Sequence, residues 1–169
     1  FTDVTGPTSR VGVYGSYAYH IDLNGDDMKL SLGLFGGIMQ YNIDGSKITL
    51  VQKDDPLAKA GIESIVIPDA GAGAYWYGDK YYLGVSVPQL LQNKLELTDN
   101  GSEIGRLTSH YFVMGGYKFE LDSDFEIEPS FLMKYVAPVP VQFDLSAKVS
   151  YQRTFWVGGS YRTDDAMSI

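Results

Sequence analysis

The chain contains no cysteine, which excludes disulfide bonds and cysteine-based metal sites or nucleophiles within its 169 residues. It also has no apolar run near the roughly 18 residues that a transmembrane helix needs. Basic residues are outnumbered, because 13 Lys and Arg against 21 Asp and Glu give a net charge of −8. A nucleic acid is therefore not an expected partner, since phosphate binding requires a basic face. These absences do not exclude a protein that crosses a membrane with β-strands.

Apolar and polar residues alternate with a period of two through most of the chain, which is typical of β-strands. The 19 glycines and 13 tyrosines are numerous, as is common in barrels. Weak helical signals occur only at 56–61 and 87–92, each long enough for one turn. The alternation predicts eight strands and the start of a ninth, at 10–22, 28–41, 66–77, 81–88, 109–121, 125–136, 140–151, 155–162 and 166–169.

The connections differ in length at the two ends of these strands. At one end the predicted turns are all short, at 23–27, 78–80, 122–124 and 152–154. The other end has the two long loops, 42–65 and 89–108, with two short connections at 137–139 and 163–165. Outer-membrane barrels combine short periplasmic turns with longer extracellular loops, although soluble up-and-down barrels can also do so.

The aromatic residues beside the short turns indicate which face meets lipid. Six of them are expected to share the apolar face and to form one interfacial girdle: Tyr77, Tyr81, Phe119, Phe125, Tyr151 and Phe155. Tyr111, Tyr135 and Tyr161 would form the second girdle. Glycine, serine and charged residues concentrate on the opposite face, as in a polar barrel interior. The alternative is a soluble β domain whose aromatics pair across strands around an apolar interior.

The direction of the strands adds an expectation about the extent of the domain. If the short turns are periplasmic, residues 1–9 lie on the extracellular side, whereas bacterial barrels normally begin in the periplasm. We therefore predict that residues 1–169 are a single outer-membrane β-barrel domain, incomplete at both ends. A complete eight-stranded barrel is the alternative.

Four features of the sequence resemble sites of chemistry. His20 and His110 fall on the polar face, where His110 with Ser109 or Asp144 could form a catalytic dyad that no spacing supports. The stretch from Asp22 to Asp27 resembles a calcium loop, but its glycine comes too early and position 12 is Gly33, so a hairpin turn is favoured. No helix follows Gly71-Ala72-Gly73, which excludes a nucleotide-binding loop.

Glu126 and Glu128 share one strand face at about 7 Å, a spacing that a glycosidase pair could use. A barrel interior explains them better, with Lys118 and Lys134 on the same face to neutralise them. We therefore name no catalytic, cofactor-binding or metal-binding residue, and we expect no cofactor and no enzymatic activity.

A series of motifs resembles one family in order and spacing over nearly all of the chain. The motifs are Ser16-Tyr17-Ala18-Tyr19-His20, Leu32-Gly33-Leu34-Phe35-Gly36-Gly37, Pro68-Asp69-Ala70, Tyr82 to Leu91, His110-Tyr111-Phe112, Glu128 to Tyr135, Pro140 to Asp144 and Trp156 to Thr163. Together they are similar to the PorP/SprF family of type IX secretion outer-membrane proteins from Bacteroidota.

The resemblance implies an antiparallel up-and-down transmembrane β-barrel in the outer membrane, without catalytic activity. It implies association with outer-membrane lipid, with type IX secretion or gliding subunits, and with a secreted adhesin or its C-terminal domain. The barrel would help to export or surface-anchor that adhesin. The alternatives are a porin-like passive channel, an outer-membrane enzyme, and a soluble lipocalin-like binder.

Overall fold

The computed structural model describes residues 1–23, 27–47, 62–96, 103–163 and 166–168. No α-helix is present in these ranges, and a short 3-10 helix covers Gly45–Lys47. The strands are β1 (Thr2–Thr5), β2 (Thr8–Asp22), β3 (Met28–Asp44), β4 (Ile62–Gly78), β5 (Tyr81–Val87), β6 (Lys94–Glu96), β7 (Glu103–Arg106), β8 (Tyr111–Tyr117), β9 (Phe119–Glu120), β10 (Phe125–Tyr135), β11 (Gln142–Tyr151), β12 (Phe155–Arg162) and β13 (Ala166–Ser168).

The strands pair in the order in which they occur along the chain. The main sheet runs β1-β2-β3-β4-β5-β8-β10-β11-β12-β13, with β9 pairing beside β8 on β10, and β6 and β7 form a separate two-stranded sheet. The pairings with a described register are all antiparallel. This order confirms the predicted all-β, up-and-down antiparallel fold, in the form of an open sheet consistent with part of a β-barrel.

Three features of the strand map were not predicted. Residues 2–5, to which no element was assigned, form β1, because Gly6 at φ +59° allows a tight turn back onto β2. The loop 89–108 contains the β6–β7 hairpin. Lys118 interrupts the predicted strand 109–121, which splits into β8 and β9.

The predicted helical turn at 87–92 is not present in the structure, so this prediction is wrong. Gln89 and Gln92 have positive φ angles of 56° and 47°, which a right-handed helix does not allow. The other suggested turn, at 56–61, lies outside the described residues.

The chain forms two compact units. The first consists of Phe1–Ser16, Phe35–Ala70 and Gln89–Thr108. Tyr14 lies at its centre: its ring stacks on Phe1, meets Phe35 edge-on, and its hydroxyl donates a hydrogen bond to Asp69 Oδ2 at 3.1 Å. Met39 and Ile67, the two buried apolar side chains among the described residues, belong to this unit. Its interior is therefore small and partly aromatic.

The second unit consists of Tyr17–Leu34, Gly71–Pro88 and Ser109–Ile169. The registers of β5, β8, β10, β11 and β12 place Tyr82, Gly116, Ser130, Ser146 and Ser160 in one row across five strands. The next row is Leu83, Gly115, Phe131, Leu145 and Tyr161. Because adjacent residues of a strand point to opposite sides, these rows define a polar face and an apolar face.

The apolar face of the second unit is exposed. Leu83 is 41% exposed, Leu145 50% and Val157 63%, whereas Ser130, Ser146 and Ser160 on the polar face are half-buried. A continuous apolar surface of this kind is unfavourable in water and marks contact with a membrane or another protein. This orientation favours the lipid-facing interpretation over the soluble barrel, which would need the apolar face inside.

Aromatic side chains line the apolar face beside the short turns, with one correction to the predicted girdle. Tyr81, Phe119, Phe125, Tyr151 and Phe155 are on this face as predicted. Tyr77 is not, because it pairs with Tyr82 and lies on the polar face. Trp76 takes its place, with its ring centroid 5.0 Å from that of Tyr81. At the other strand ends Tyr111 and Tyr135 pair directly, with ring centroids 6.1 Å apart.

Candidate functional site

The candidate site lies on the polar face of the second unit, where the register of β10, β11 and β12 sets the neighbours of each charged residue. One row across these strands is Glu126, Ser150 and Trp156. The next row is Glu128, Lys148 and Gly158. Residues directly opposite each other in an antiparallel pair have Cβ atoms about 5 Å apart, so this arrangement brings acidic, basic and aromatic groups together.

The two glutamates are neutralised by partners other than the predicted ones. Glu128 Oε2 lies 2.6 Å from Lys148 Nζ, and Glu126 Oε1 accepts a hydrogen bond of 2.8 Å from Arg153 Nε. Lys134 instead pairs with Asp144, and Lys118 forms no ion pair with any residue that the structure describes. The glutamates do line the polar face, as expected of a barrel interior.

Arg153 is placed over Glu126 by the turn between β11 and β12. Gln152 and Arg153 both have positive φ angles, 48° and 53°, and Thr154 N donates to Tyr151 O at 3.1 Å. This is a β-turn over residues 151–154 with both central residues left-handed, for which Asn-Gly is the usual sequence, and Thr154 completes the three-residue connection between the paired Tyr151 and Phe155. The Gln152 side chain donates to Asp124 Oδ1 at 3.2 Å, so side-chain contacts support an unfavourable backbone conformation.

The turn side chains form charged hydrogen bonds that change their pKa values. Lys80, in the turn between β4 and β5, donates to Glu120 Oε2 at 3.0 Å, and this bond raises the pKa of its ammonium group above the ordinary value. The hydrogen bond to Glu126 raises the pKa of the Arg153 guanidinium in the same way. Both groups therefore stay charged across the physiological range.

Towards the opposite end of the strands, Asp144 joins three of them. Its Oδ2 accepts a hydrogen bond of 2.6 Å from Lys134 Nζ on β10, and its Oδ1 accepts one of 2.8 Å from Arg162 Nε on β12. The Asp144 side chain is only 16% exposed. One carboxylate on β11 thus balances two cations on the neighbouring strands.

We expect Asp144→Asn to lower the unfolding temperature of the barrel more than Glu120→Gln does. The asparagine keeps the shape but removes the negative charge opposite Lys134 and Arg162 in a half-buried position, which costs more than the loss of an exposed pair. Heat-dependent mobility of the folded barrel on detergent gels measures both variants. Equal shifts for the two would contradict a structural role of the three-strand cluster.

A cavity of about 830 Å³ opens on the polar face at the end with the short turns. Its walls combine four basic residues, four acidic residues, one hydroxyl and one indole: Lys80, Lys118, Lys148, Arg153, Asp79, Glu120, Glu126, Glu128, Ser150 and Trp156. We call this group the charged cavity. The sequence did not place Trp156, Arg153, Lys80, Asp79 or Glu120 at a site, although the predicted turn between Tyr151 and Phe155 implies that Ser150 faces Trp156.

The other residues suggested as sites of chemistry do not line the charged cavity. His20 Nδ1 lies 3.4 Å from the hydroxyl of Tyr77. The ring of His110 stacks on Phe112 with centroids 6.3 Å apart, while Asp144 accepts hydrogen bonds from Lys134 and Arg162. The residues at the centre of the suggested calcium loop, 24–26, lie outside the described residues, and Leu23 N donates to Met28 O as in a hairpin. Gly71 and Gly73 lie within β4.

The described part of the chain has neither a cluster of metal-ligand side chains nor a membrane-spanning helix. No group of three or more His, Cys, Asp or Glu side chains there is placed to hold a metal ion. Within the same ranges, no helix has the length and apolar character to cross a membrane.

The comparisons with known proteins agree with the motif series. A family model described as type IX secretion system membrane protein PorP/SprF matches residues 1–169. That description is of a membrane component of a secretion system and not of an enzyme family. No curated protein and no solved structure matches the chain.

Proposed function

Because the chain belongs to the PorP/SprF family of type IX secretion system membrane proteins, we propose that it is a non-enzymatic outer-membrane barrel that binds a secreted adhesin or other secretion or gliding subunits. In this proposal residues 1–169 act as one barrel domain whose apolar face contacts outer-membrane lipid. The loops opposite the short turns hold the partner during its export or attachment to the cell surface.

The exposed apolar face supports the membrane part of the proposal. Its aromatic residues gather beside the short turns, where amphipathic rings favour the level of the lipid headgroups. The intervening residues of these strands, such as Leu145 and Val157, are aliphatic and exposed. A strand of about 10 residues is long enough to cross a bilayer when tilted, and β10 and β11 have 11 and 10 residues.

The observation that carries the binding part is that the described residues of the segment 89–108 are tied to β4 and to each other. Leu90 N donates to Ala70 O at 2.9 Å, and Asn93 Nδ2 donates to Pro68 O at 2.6 Å. Leu107 N returns to Asn93 O at 2.9 Å, which closes the base of the β6–β7 sheet. Residues held in place before binding lose less conformational entropy when a partner arrives, so the described part of this segment is suited to recognition.

The test is a deletion of residues 92–105 in the full-length protein. We expect partner capture to fall at least about tenfold, because the deletion removes β6 and most of β7 while the strand β4, to which they are tied, remains. Capture is measured by mass spectrometry of proteins that copurify in mild detergent from native membranes. Heat-dependent gel mobility verifies that the shortened barrel is still folded.

Two comparison variants make the result specific. A Gly-Ser insertion at Ser123, in a short turn, should leave capture unchanged. Shortening of residues 48–61 tests the other long predicted connection. Unchanged capture in both folded loop variants would contradict the proposal. A barrel that purifies alone and conducts ions in a planar bilayer would instead favour the passive channel, which the charged polar face also suits.

A further inference from the structure

Trp156 has an unusual position for a large aromatic side chain. It lies on the polar face, opposite Ser150 on β11, and is 73% exposed. Gly158 follows it on the same face, so small residues flank the indole along and across the strands. The aromatic girdle does not account for Trp156, because that girdle lies on the other face of the sheet. The charged cavity is the space into which its ring is open.

The charged side chains around Trp156 differ in solvent exposure. The side chains of Glu126 and Glu128 are 16% and 20% exposed, while those of their partners Arg153 and Lys148 are 78% and 45% exposed. The cations therefore form more of the accessible wall than the two carboxylates that they neutralise. Arg153 uses Nε for Glu126, which leaves its two Nη groups for other acceptors.

Lys118 adds a further cation to the same cavity. It forms no ion pair with any described residue, and its backbone N–H is held by Lys80 O at 2.6 Å. The Lys118 ammonium group and the Nη groups of Arg153 are suited to bind a ligand carboxylate, because hydrogen bonds between charged groups are stronger than neutral ones.

We propose that the charged cavity binds an acidic saccharide, with a pyranose ring stacked on the indole of Trp156 and its carboxylate held by Lys118 and Arg153. The polarised C–H groups of a sugar face complement the electron-rich face of an indole. The Lys148–Glu128 pair and the Ser150 hydroxyl offer both donors and acceptors to ring hydroxyls. The volume of about 830 Å³ lies in the range of small-ligand sites and admits a disaccharide. The inference does not depend on partner capture by the loops.

The test uses the intrinsic fluorescence of Trp156. Residues 1–169 contain two tryptophans, and the other, Trp76, lies on the apolar face. An emission change that a Trp76→Phe variant in detergent keeps, and that a further Trp156→Phe change removes, therefore comes from Trp156. The Trp76→Phe variant is titrated with N-acetylglucosaminyl-N-acetylmuramic acid and with its neutral analogue N,N′-diacetylchitobiose (here chitobiose), which lacks the carboxylate. Digalacturonic acid and the tripeptide triglutamate complete the set of probes.

We expect a saturable change in emission with the acidic disaccharides and at least about tenfold weaker binding of chitobiose, because it lacks the charge-assisted bonds. The relative affinity of the two acidic disaccharides shows whether the natural ligand comes from a muramic-acid glycan or from a uronic-acid polysaccharide. Lys118→Gln should weaken binding about tenfold by the same reasoning. Lys29→Gln, which removes a cation paired with Asp22 outside the cavity, should not.

Three results would overturn the proposal: no saturable change with either acidic disaccharide, equal affinity for chitobiose, or binding of triglutamate as tight as that of the sugars. The last would identify the cavity as a site for acidic peptides. Because Lys118→Gln and Lys29→Gln each remove one exposed or half-buried charge, their matched heat-dependent gel mobility shows that a difference in affinity is not a folding defect.

Discussion

Replacing Leu145 with arginine is expected to destabilise the barrel in a lipid bilayer by about 2–4 kcal/mol. Leu145 lies on the apolar face in the middle of β11, between Phe131 and Tyr161, and is 50% exposed. If this face contacts lipid, the guanidinium must enter hydrocarbon or distort the bilayer around it. If the face met water, a substitution at a half-exposed position would change stability by less than about 0.5 kcal/mol.

The matched control is Ser146→Arg, one residue further along the same strand. Ser146 lies on the polar face between Ser130 and Ser160, beside a cavity of about 410 Å³ that can accept the longer side chain. It should cost less than about 1 kcal/mol, as expected away from lipid. Denaturant unfolding of both variants in phospholipid vesicles gives the comparison. Similar losses for the two would show that the faces do not separate lipid from a polar interior.

The sequence was sufficient for the strand order because hydrophobic alternation is strong in the long strands. It failed at Tyr77, where Ala74-Tyr75-Trp76-Tyr77 is apolar or aromatic throughout, so hydropathy does not indicate which parity faces outward. The register with β5 decides the matter, since Trp76 pairs with the outward Leu83. The strands β6 and β7, of three and four residues, are too short for alternation to reveal them.

The candidate site was predicted in its composition but not in its contacts. Lys118, Lys134 and Lys148 all share the polar parity, and parity alone does not say which lysine meets which glutamate. That choice follows from the pairing of β10 with β11, which places Lys148 directly opposite Glu128. Arg153 comes from a turn, where the backbone leaves the alternation, so its contact with Glu126 required the turn geometry.

The adjacent glycines Gly36 and Gly37 look alike in the sequence but differ in the space around them. A Cβ on Gly37 would collide with the carbonyl oxygen of Val13 and lie 2.9 Å from Tyr14 Cα, both backbone atoms of β2. A Cβ on Gly36 would find its nearest neighbour at 3.9 Å, the carbonyl oxygen of Asp69. We therefore expect Gly37→Ala to cost about 3 kcal/mol, as severe overpacking does, and Gly36→Ala to cost less than about 1 kcal/mol.

The collision at Gly37 cannot be relieved cheaply, because Tyr14 is fixed on three sides. Its ring is stacked on Phe1 and meets Phe35, and its hydroxyl is bound to Asp69. An added methyl group must therefore move β2 away from β3 and disturb the small interior of the first unit. Denaturant unfolding of the two alanine variants measures the difference. Equal stability would mean that the two strands can separate at this point, and that the packing around Tyr14 does not hold them in register.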